Sequence, residues 1–296
     1  MKKITKKDIK QEVFDLYDDY AHNRLGRRDF MDKLSMYAVG GITVPSLLKF
    51  IMPDYKHKIQ VKNDDPRLNS EIISYESPKG GGSINGLLSM PVSAEKKIPG
   101  IIVVHENRGL NPHIQDVGRR AALENFISLA PDALTPLGGY PGNDDEGRTL
   151  QRKRDRQEML EDFIAAFEYL KSHPMCTGKI GVVGFCFGGW ISNMMAVKVP
   201  DLMAVVPFYG SQPAAEDVPN IKAPLLLHFA AFDKRVNAGW PDYAATLQEH
   251  NKEYSAHLYP DVNHGFHNDT TPRYDWEAAQ LAWDRTIDFF NAKLRK

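Results

Sequence analysis

Two runs of consecutive apolar residues constrain this chain more than anything else in it: Ile101-Ile102-Val103-Val104, and Ile-Gly-Val-Val within Lys179–Gly184. A strand that is apolar at every position, not at alternate ones, is buried on both faces, as in a parallel sheet covered by helices on both sides. Between such runs the period changes to that of a helix. Met159, Phe163, Phe167 and Leu170 fall on one face of a helix predicted over Thr149–Ser172. Strands are predicted at Glu71–Glu76, Ser83–Pro91, Pro99–His105, Phe126–Ala130, Lys179–Gly184, Leu202–Phe208, Pro224–Phe229 and Ser255–Tyr259. The first two are joined through Pro78 to Gly82, a hairpin-type connection. Further helices are predicted at Asn111–Glu124, Cys186–Val197, Trp240–His250 and Trp276–Leu294. This alternation is that of an α/β protein with a mostly parallel, doubly wound sheet.

The 296 residues are too many for such a domain alone, and the pattern begins only near residue 70. We therefore divide the chain into an N-terminal segment, 1–69, and an α/β domain, 70–296. A net charge of −1 offers no basic surface for nucleic acid. Two cysteines, Cys176 and Cys186, cannot build a disulfide framework, so interest in either is chemical.

Within the N-terminal segment, Ile9, Val13, Leu16, Tyr17 and Tyr20 recur at helical spacing. Arg27-Arg28-Asp29-Phe30-Met31 then precedes a mostly apolar run from Leu34 to Pro53. Two readings stand. One is a twin-arginine-like export signal, cleaved or retained. The other is a helical extension packed on the main domain. Lys49 and Pro45 interrupt the run, which argues against a membrane span. The cytoplasm is favoured, with periplasmic export as the alternative. Residues 54–70 are polar and read as a linker.

In a doubly wound sheet the chemistry sits beyond the carboxyl ends of the strands. After strand 179–184 comes Gly184-Phe185-Cys186-Phe187-Gly188-Gly189, the nucleophile-elbow pattern with cysteine as nucleophile. A strand-to-helix turn this sharp needs side-chain-free neighbours. It lifts the sulfur towards the helix amides, which favour thiolate, and aims the Phe187 amide at a developing oxyanion. The bland alternative is a glycine-rich link around a buried, inert thiol. Asp233 follows strand 224–229, and His264 follows strand 255–259. Nucleophile, acid and base in that chain order are those of an α/β hydrolase. Glu106, after strand 99–105, lies in the loop that normally supplies the second oxyanion amide, and a carboxylate there calls for a role.

Together these residues resemble the dienelactone hydrolase (carboxymethylenebutenolidase-like) family of α/β hydrolases. The resemblance covers roughly 70–294 and rests on the cysteine elbow, Glu106 with Gly109 and Asn111, Asp233, and His264-Gly265-Phe266. It implies that Cys186 is the nucleophile, His264 the base and Asp233 its orienter. The oxyanion hole is then the amides of Asn107 and Phe187, and Glu106 helps to activate the resting thiol. The implied reaction is hydrolysis of a small ester or lactone through an acyl-thioester.

The family's dienelactone-cleaving members hold the substrate carboxylate with arginines. This chain has Asn268 four residues after the base, and Asp144 and Arg148 where a second clamp falls. Arg108, Arg148, His267 and Asn268 are the candidate substrate contacts. A broad carboxylesterase or thioesterase, or a non-catalytic protein on the same fold, are the alternatives. His105, His113, His264 and His267 lack the spacing of a metal-ligand set, so no metal is expected. Gly80-Gly81-Gly82 lacks the Lys-Ser/Thr of a phosphate loop, and no cofactor is expected. The sequence sets no oligomeric state.

Overall fold

The computed structural model describes residues 4–296. One eight-stranded sheet runs through the α/β domain in the order β1-β2-β4-β3-β5-β6-β7-β8. Strands β1 (Leu68–Ser77) and β2 (Gly82–Pro91) form the antiparallel hairpin, and β2 also pairs antiparallel with β4 (Ile127–Pro131). From there β3 (Ile98–Val104), β5 (Cys176–Phe185), β6 (Ala204–Phe208), β7 (Leu225–Ala230) and β8 (Tyr254–Tyr259) continue in parallel. Every residue of β3, β4, β6 and β7 is buried, as the continuous apolar runs require. Two apolar clusters lie on the two faces, one containing Ile102, Val182 and Phe163, the other Ile101, Val183 and Phe290. Helices α4 (Pro112–Leu123), α6 (Arg156–Ser172), α7 (Phe187–Lys198) and α10 (Trp276–Leu294) supply most of the cover; α9 (Trp240–Glu249) follows the short α8 (Lys234–Asn237).

Two elements depart from the sequence reading. The helix predicted over 149–172 is two helices, α5 (Asp144–Gln151) and α6. The break falls where Asp155 caps α6, its carboxylate accepting from the amides of Gln157 and Glu158. Residues 54–70 are not a free linker. The Gln60 and Val61 amides donate to Asp116, and Tyr55 donates its hydroxyl to Asp144.

The N-terminal segment folds into α1 (Gln11–Ala21), α2 (Arg27–Ser35) and α3 (Val44–Ile51) around its own small core of Val13, Tyr17, Phe30, Leu34 and Leu47. Pro45 sits in the first turn of α3, where its missing N–H costs nothing, and Thr43 caps that helix. Arg27, half of the arginine pair, opens α2 and pairs with Asp145 at 2.6 Å. Among the described residues no helix is long and apolar enough to cross a membrane.

Candidate active site

The turn between β5 and α7 shows why its sequence is so restricted. Cys186 has φ 58° and ψ −110°, a conformation that a residue with a side chain adopts only under constraint. A Cβ at Gly184 would collide with the Gly188 carbonyl, and one at Gly188 would collide with the Val104 carbonyl of β3. Both glycines are therefore demanded by close backbone approach. The Cys186 amide donates to Phe208 of β6 at 3.1 Å, and its carbonyl accepts from Gly189 and Trp190, so the turn is fixed on both sides. Phe187 is the first residue of α7, where amides have no helical acceptor.

His264 and Asp233 meet as their chain order suggests. His264 Nδ1 lies 2.5 Å from Asp233 Oδ2, while His264 Nε2 is buried without a hydrogen-bond partner. Burial works against the Asp233 charge, but the His264 imidazole, Arg235 and the Val236 amide outweigh it and hold the carboxyl below its ordinary range. Sγ of Cys186 and a ring nitrogen of His264 lie within 4.8 Å of one another.

One residue at this site went unnoticed in the sequence. His22, the residue after α1, brings its Nε2 to 3.2 Å from Cys186 Sγ. Its signal was present: Asp18 and His22 are four apart, the spacing that puts two side chains on one helical face, and they pair at 3.1 Å. Tyr209, buried with φ 38°, packs its ring 4.8 Å from that of His264. Arg235 reaches both His22 and His264 at 3.4 Å.

Glu106 is buried, and its Oε2 accepts from Asn268 at 3.1 Å. Burial opposes its charge, yet Arg108, His113, Arg273 and His264 together keep its carboxyl below the usual range. The group hydrogen-bonded to the sulfur is thus His22, not Glu106.

The four candidate substrate contacts are engaged elsewhere. Arg108 is buried against Asp144 at 2.8 Å. Arg148 is buried too, pairing with Asp145, donating to the Tyr20 carbonyl and stacking on the Tyr20 ring. His267 stacks on Phe185, and burial pushes its pKa well down. Asn268 accepts from Thr270 while it holds Glu106. Arg108, Arg148 and Asn268 are thus each held by protein partners, whereas His267 borders a separate cavity beside Gln60, Arg120 and Trp283, its Nδ1 without a hydrogen-bond partner. His105 and His113 are likewise engaged, with the Ala133 amide and with Asp269.

The space beside the sulfur is a cavity of about 310 Å³ lined by Asn107, Arg156, Phe187, Trp190, Tyr209 and Arg235, among others. Asn23 and His22 of the N-terminal segment complete its wall. The Asn107 side-chain amide donates to the carbonyl of buried Ala21 at 2.5 Å.

A sharp strand–turn–helix at Cys186, with Asp233 after β7 and His264 after β8 on a mostly parallel sheet, is the architecture of the α/β-hydrolase fold. Comparison with known proteins narrows the class. The family model described as "Dienelactone hydrolase family" matches residues 84–294, and a second, described as "YqhI-like", matches residues 1–40. A "Putative carboxymethylenebutenolidase" of Saccharolobus solfataricus is 31% identical, over 73% of this chain and 96% of its own. A "Putative hydrolase fragment YghX" of Escherichia coli K12 is 48% identical, over 38% of this chain and 97% of its own. The fold is shared with a dienelactone hydrolase-like promiscuous phosphotriesterase from metagenomic libraries, at TM-score 0.67 and 22% identity, covering 77% of this chain and 99% of that one. The chain belongs to the dienelactone hydrolase family, and is a hydrolase of the ester- and lactone-cleaving kind.

Proposed function

We propose that the protein hydrolyses a small ester or lactone with Cys186 as the nucleophile and His264–Asp233 as the base pair. The observation that carries this reading is a buried, unpartnered His264 Nε2 on a ring that comes within 4.8 Å of the sulfur, with the other ring nitrogen held by Asp233. A lone buried nitrogen is costly unless something it must bind arrives there. A hydrolytic water is such a group.

Sγ, as thiolate, attacks the substrate carbonyl carbon. The oxygen takes up charge between the amides of Phe187 and Asn107. The alkoxide leaves with the proton that Cys186 gave up on becoming a thiolate, and the acyl group remains as a thioester on Cys186. Water then gives a proton to His264 Nε2 while its oxygen attacks the thioester carbonyl. Expulsion of the thiolate releases the carboxylic acid, and the proton left on His264 returns to the sulfur, which regenerates the site. Asp233 keeps Nδ1 protonated and so keeps Nε2 bare for the water.

The arginines at the cavity suit a substrate bearing a carboxylate of its own. Arg156 stacks over the Trp190 ring at 3.5 Å, and Arg235 stands across the same cavity. They take the place of the clamp that Arg108 and Arg148 do not provide. The N-terminal segment is proposed as a retained part of the working enzyme, because His22 and Asn23, just after α1, help to wall this cavity.

The test is turnover of p-nitrophenyl acetate and a panel of small lactones beside Cys186→Ala. Hydrolysis is expected to fall by at least about 1000-fold with the fold intact, as when a nucleophile is removed from other hydrolases. Turnover that survives would remove Cys186 from the mechanism.

A further inference from the structure

We propose that His22, delivered by the N-terminal segment, is a second catalytic imidazole: it holds the Cys186 proton in the resting enzyme and passes it to the leaving group. This rests on the cysteine-hydrolase reading above and adds to it a residue from outside the α/β domain.

Hydrogen-bond geometry assigns the tautomer. His22 Nδ1 lies 2.8 Å from the Asp18 carbonyl oxygen and 3.1 Å from Asp18 Oδ1. Both are acceptors, so Nδ1 carries a hydrogen in either protonation state. The other nitrogen, Nε2, is the one at 3.2 Å from Sγ. A neutral His22 therefore presents a bare nitrogen to the thiol, and taking its proton leaves a thiolate–imidazolium pair. The His264 ring stands edge-on to that of His22, their centroids 4.7 Å apart. Two imidazole–carboxylate pairs thus flank one sulfur.

The placement of His22 is built, not incidental. Ala21, next to it, accepts from Asn107 of the oxyanion loop, and Tyr20 accepts from Arg148 of α5. At the other end of α1, Gln11 donates to Asn263, the neighbour of His264 in the chain. Helix α1 is therefore fastened to the loops that carry the chemistry. Asp18 and His22 fall within the segment 1–40 that matches a family model of its own, outside the hydrolase match at 84–294.

The surrounding charges agree. Asp18 favours an imidazolium at His22, and Asp233 lies across the site on His264. Arg24 and Arg273 draw on Asp18 from either side, at 2.9 and 3.7 Å. Arg235 at 3.4 Å and Arg156 at the cavity favour the thiolate instead. Burial opposes charge on His22, but the Cys186 sulfur and Asp18 outweigh it and raise its pKa.

Protons then balance over the cycle. The thiol proton moves to His22 Nε2. Collapse of the first tetrahedral intermediate breaks the carbonyl–oxygen bond, and the departing alkoxide takes that proton. His264 takes one proton from water in the second half and passes it to His22, which restores the proton shared with Cys186 in the resting enzyme. Each imidazole thus serves one half-reaction.

The experiment is alkylation of Cys186 by iodoacetamide between about pH 5.5 and 9, where only thiolate reacts, with a chelator present and modification read as the mass of the Cys186 peptide. Wild-type enzyme is expected to react at pH 6 nearly as fast as at pH 8. In His22→Gln the rate at pH 6 is expected to drop at least about 10-fold, and the profile to move to an ordinary thiol titration near about 8.5. Turnover should suffer more for alkyl esters, whose alkoxides need the proton, than for p-nitrophenyl esters. A wild-type profile already at the ordinary thiol range would overturn the proposal without any variant, as would an unchanged profile in His22→Gln. Alkylation involves no substrate, so it reports on the His22–Cys186 pair whatever Cys186→Ala does to turnover.

Discussion

Cys186 holds a backbone conformation that its own side chain disfavours, and the strain is maintained by the β5–α7 turn and by close packing on β3 and β6. The result is a sulfur lining a cavity, with Nε2 of His22 at 3.2 Å and a ring nitrogen of His264 within 4.8 Å. Glu106 has a different place. It is held by Asn268, and the cationic groups around it keep its carboxyl below the usual range despite burial. Arg156 lines the same cavity, its guanidinium over the Trp190 ring. Arg156→Gln is expected to lower kcat/KM for a carboxylate-bearing ester about 3–10-fold relative to a neutral ester, the size of a part-exposed ion pair. Paired kinetics on the two esters check this, and an equal effect on both would deny Arg156 a role in charge recognition.

At the scale of elements, legibility followed the range of the interactions. The strands were readable because burial on both faces leaves a continuous apolar run, and β3 and β5 lie where Ile101–Val104 and Lys179–Gly184 put them. The elbow was readable because sterics confine it to a few adjacent residues. The Asp233–His264 pair was readable from chain order. The split between α5 and α6 escaped notice because neither proline nor glycine marks it. The cue was Asp155 followed by Glu158, a capping pattern inside a periodic stretch. Residues 54–70 looked like linker because polar side chains in a strap and in a linker are alike until their partners, Asp116 and Asp144, are known. The same holds for the buried arginines, since sequence shows a charge and not what neutralises it. His22 meets Cys186 across 164 positions. No local pattern carries that contact, although the Asp18–His22 spacing marked a face on α1.

For the molecule as a whole, the N-terminal helices and the α/β domain share buried charge, and pH acts on both. Asp18, Asp233 and Asp269 have folded-state pKa values below their ordinary range: burial opposes each charge, and histidine or arginine partners prevail. A depressed carboxyl stabilises the fold fully above its unfolded pKa of about 4, and that stability is lost as pH falls below it. His228 and His267, kept neutral chiefly by burial, act in the same direction from about pH 6.5 downward. The melting temperature is therefore expected to fall as pH drops from about 7, and most steeply below about pH 4. Scanning calorimetry across that range checks it, and a flat profile would contradict the assigned charges.

The central claim is that acyl transfer passes through Cys186. Its most direct test is to mix wild-type enzyme with p-nitrophenyl acetate, quench in acid during turnover and locate the acetyl group by peptide mass. The account requires an acetyl thioester on the Cys186 peptide, formed and lost at rates that match turnover, and none in Cys186→Ala. Turnover with no adduct at Cys186, or with the acetyl group on another residue, would contradict it.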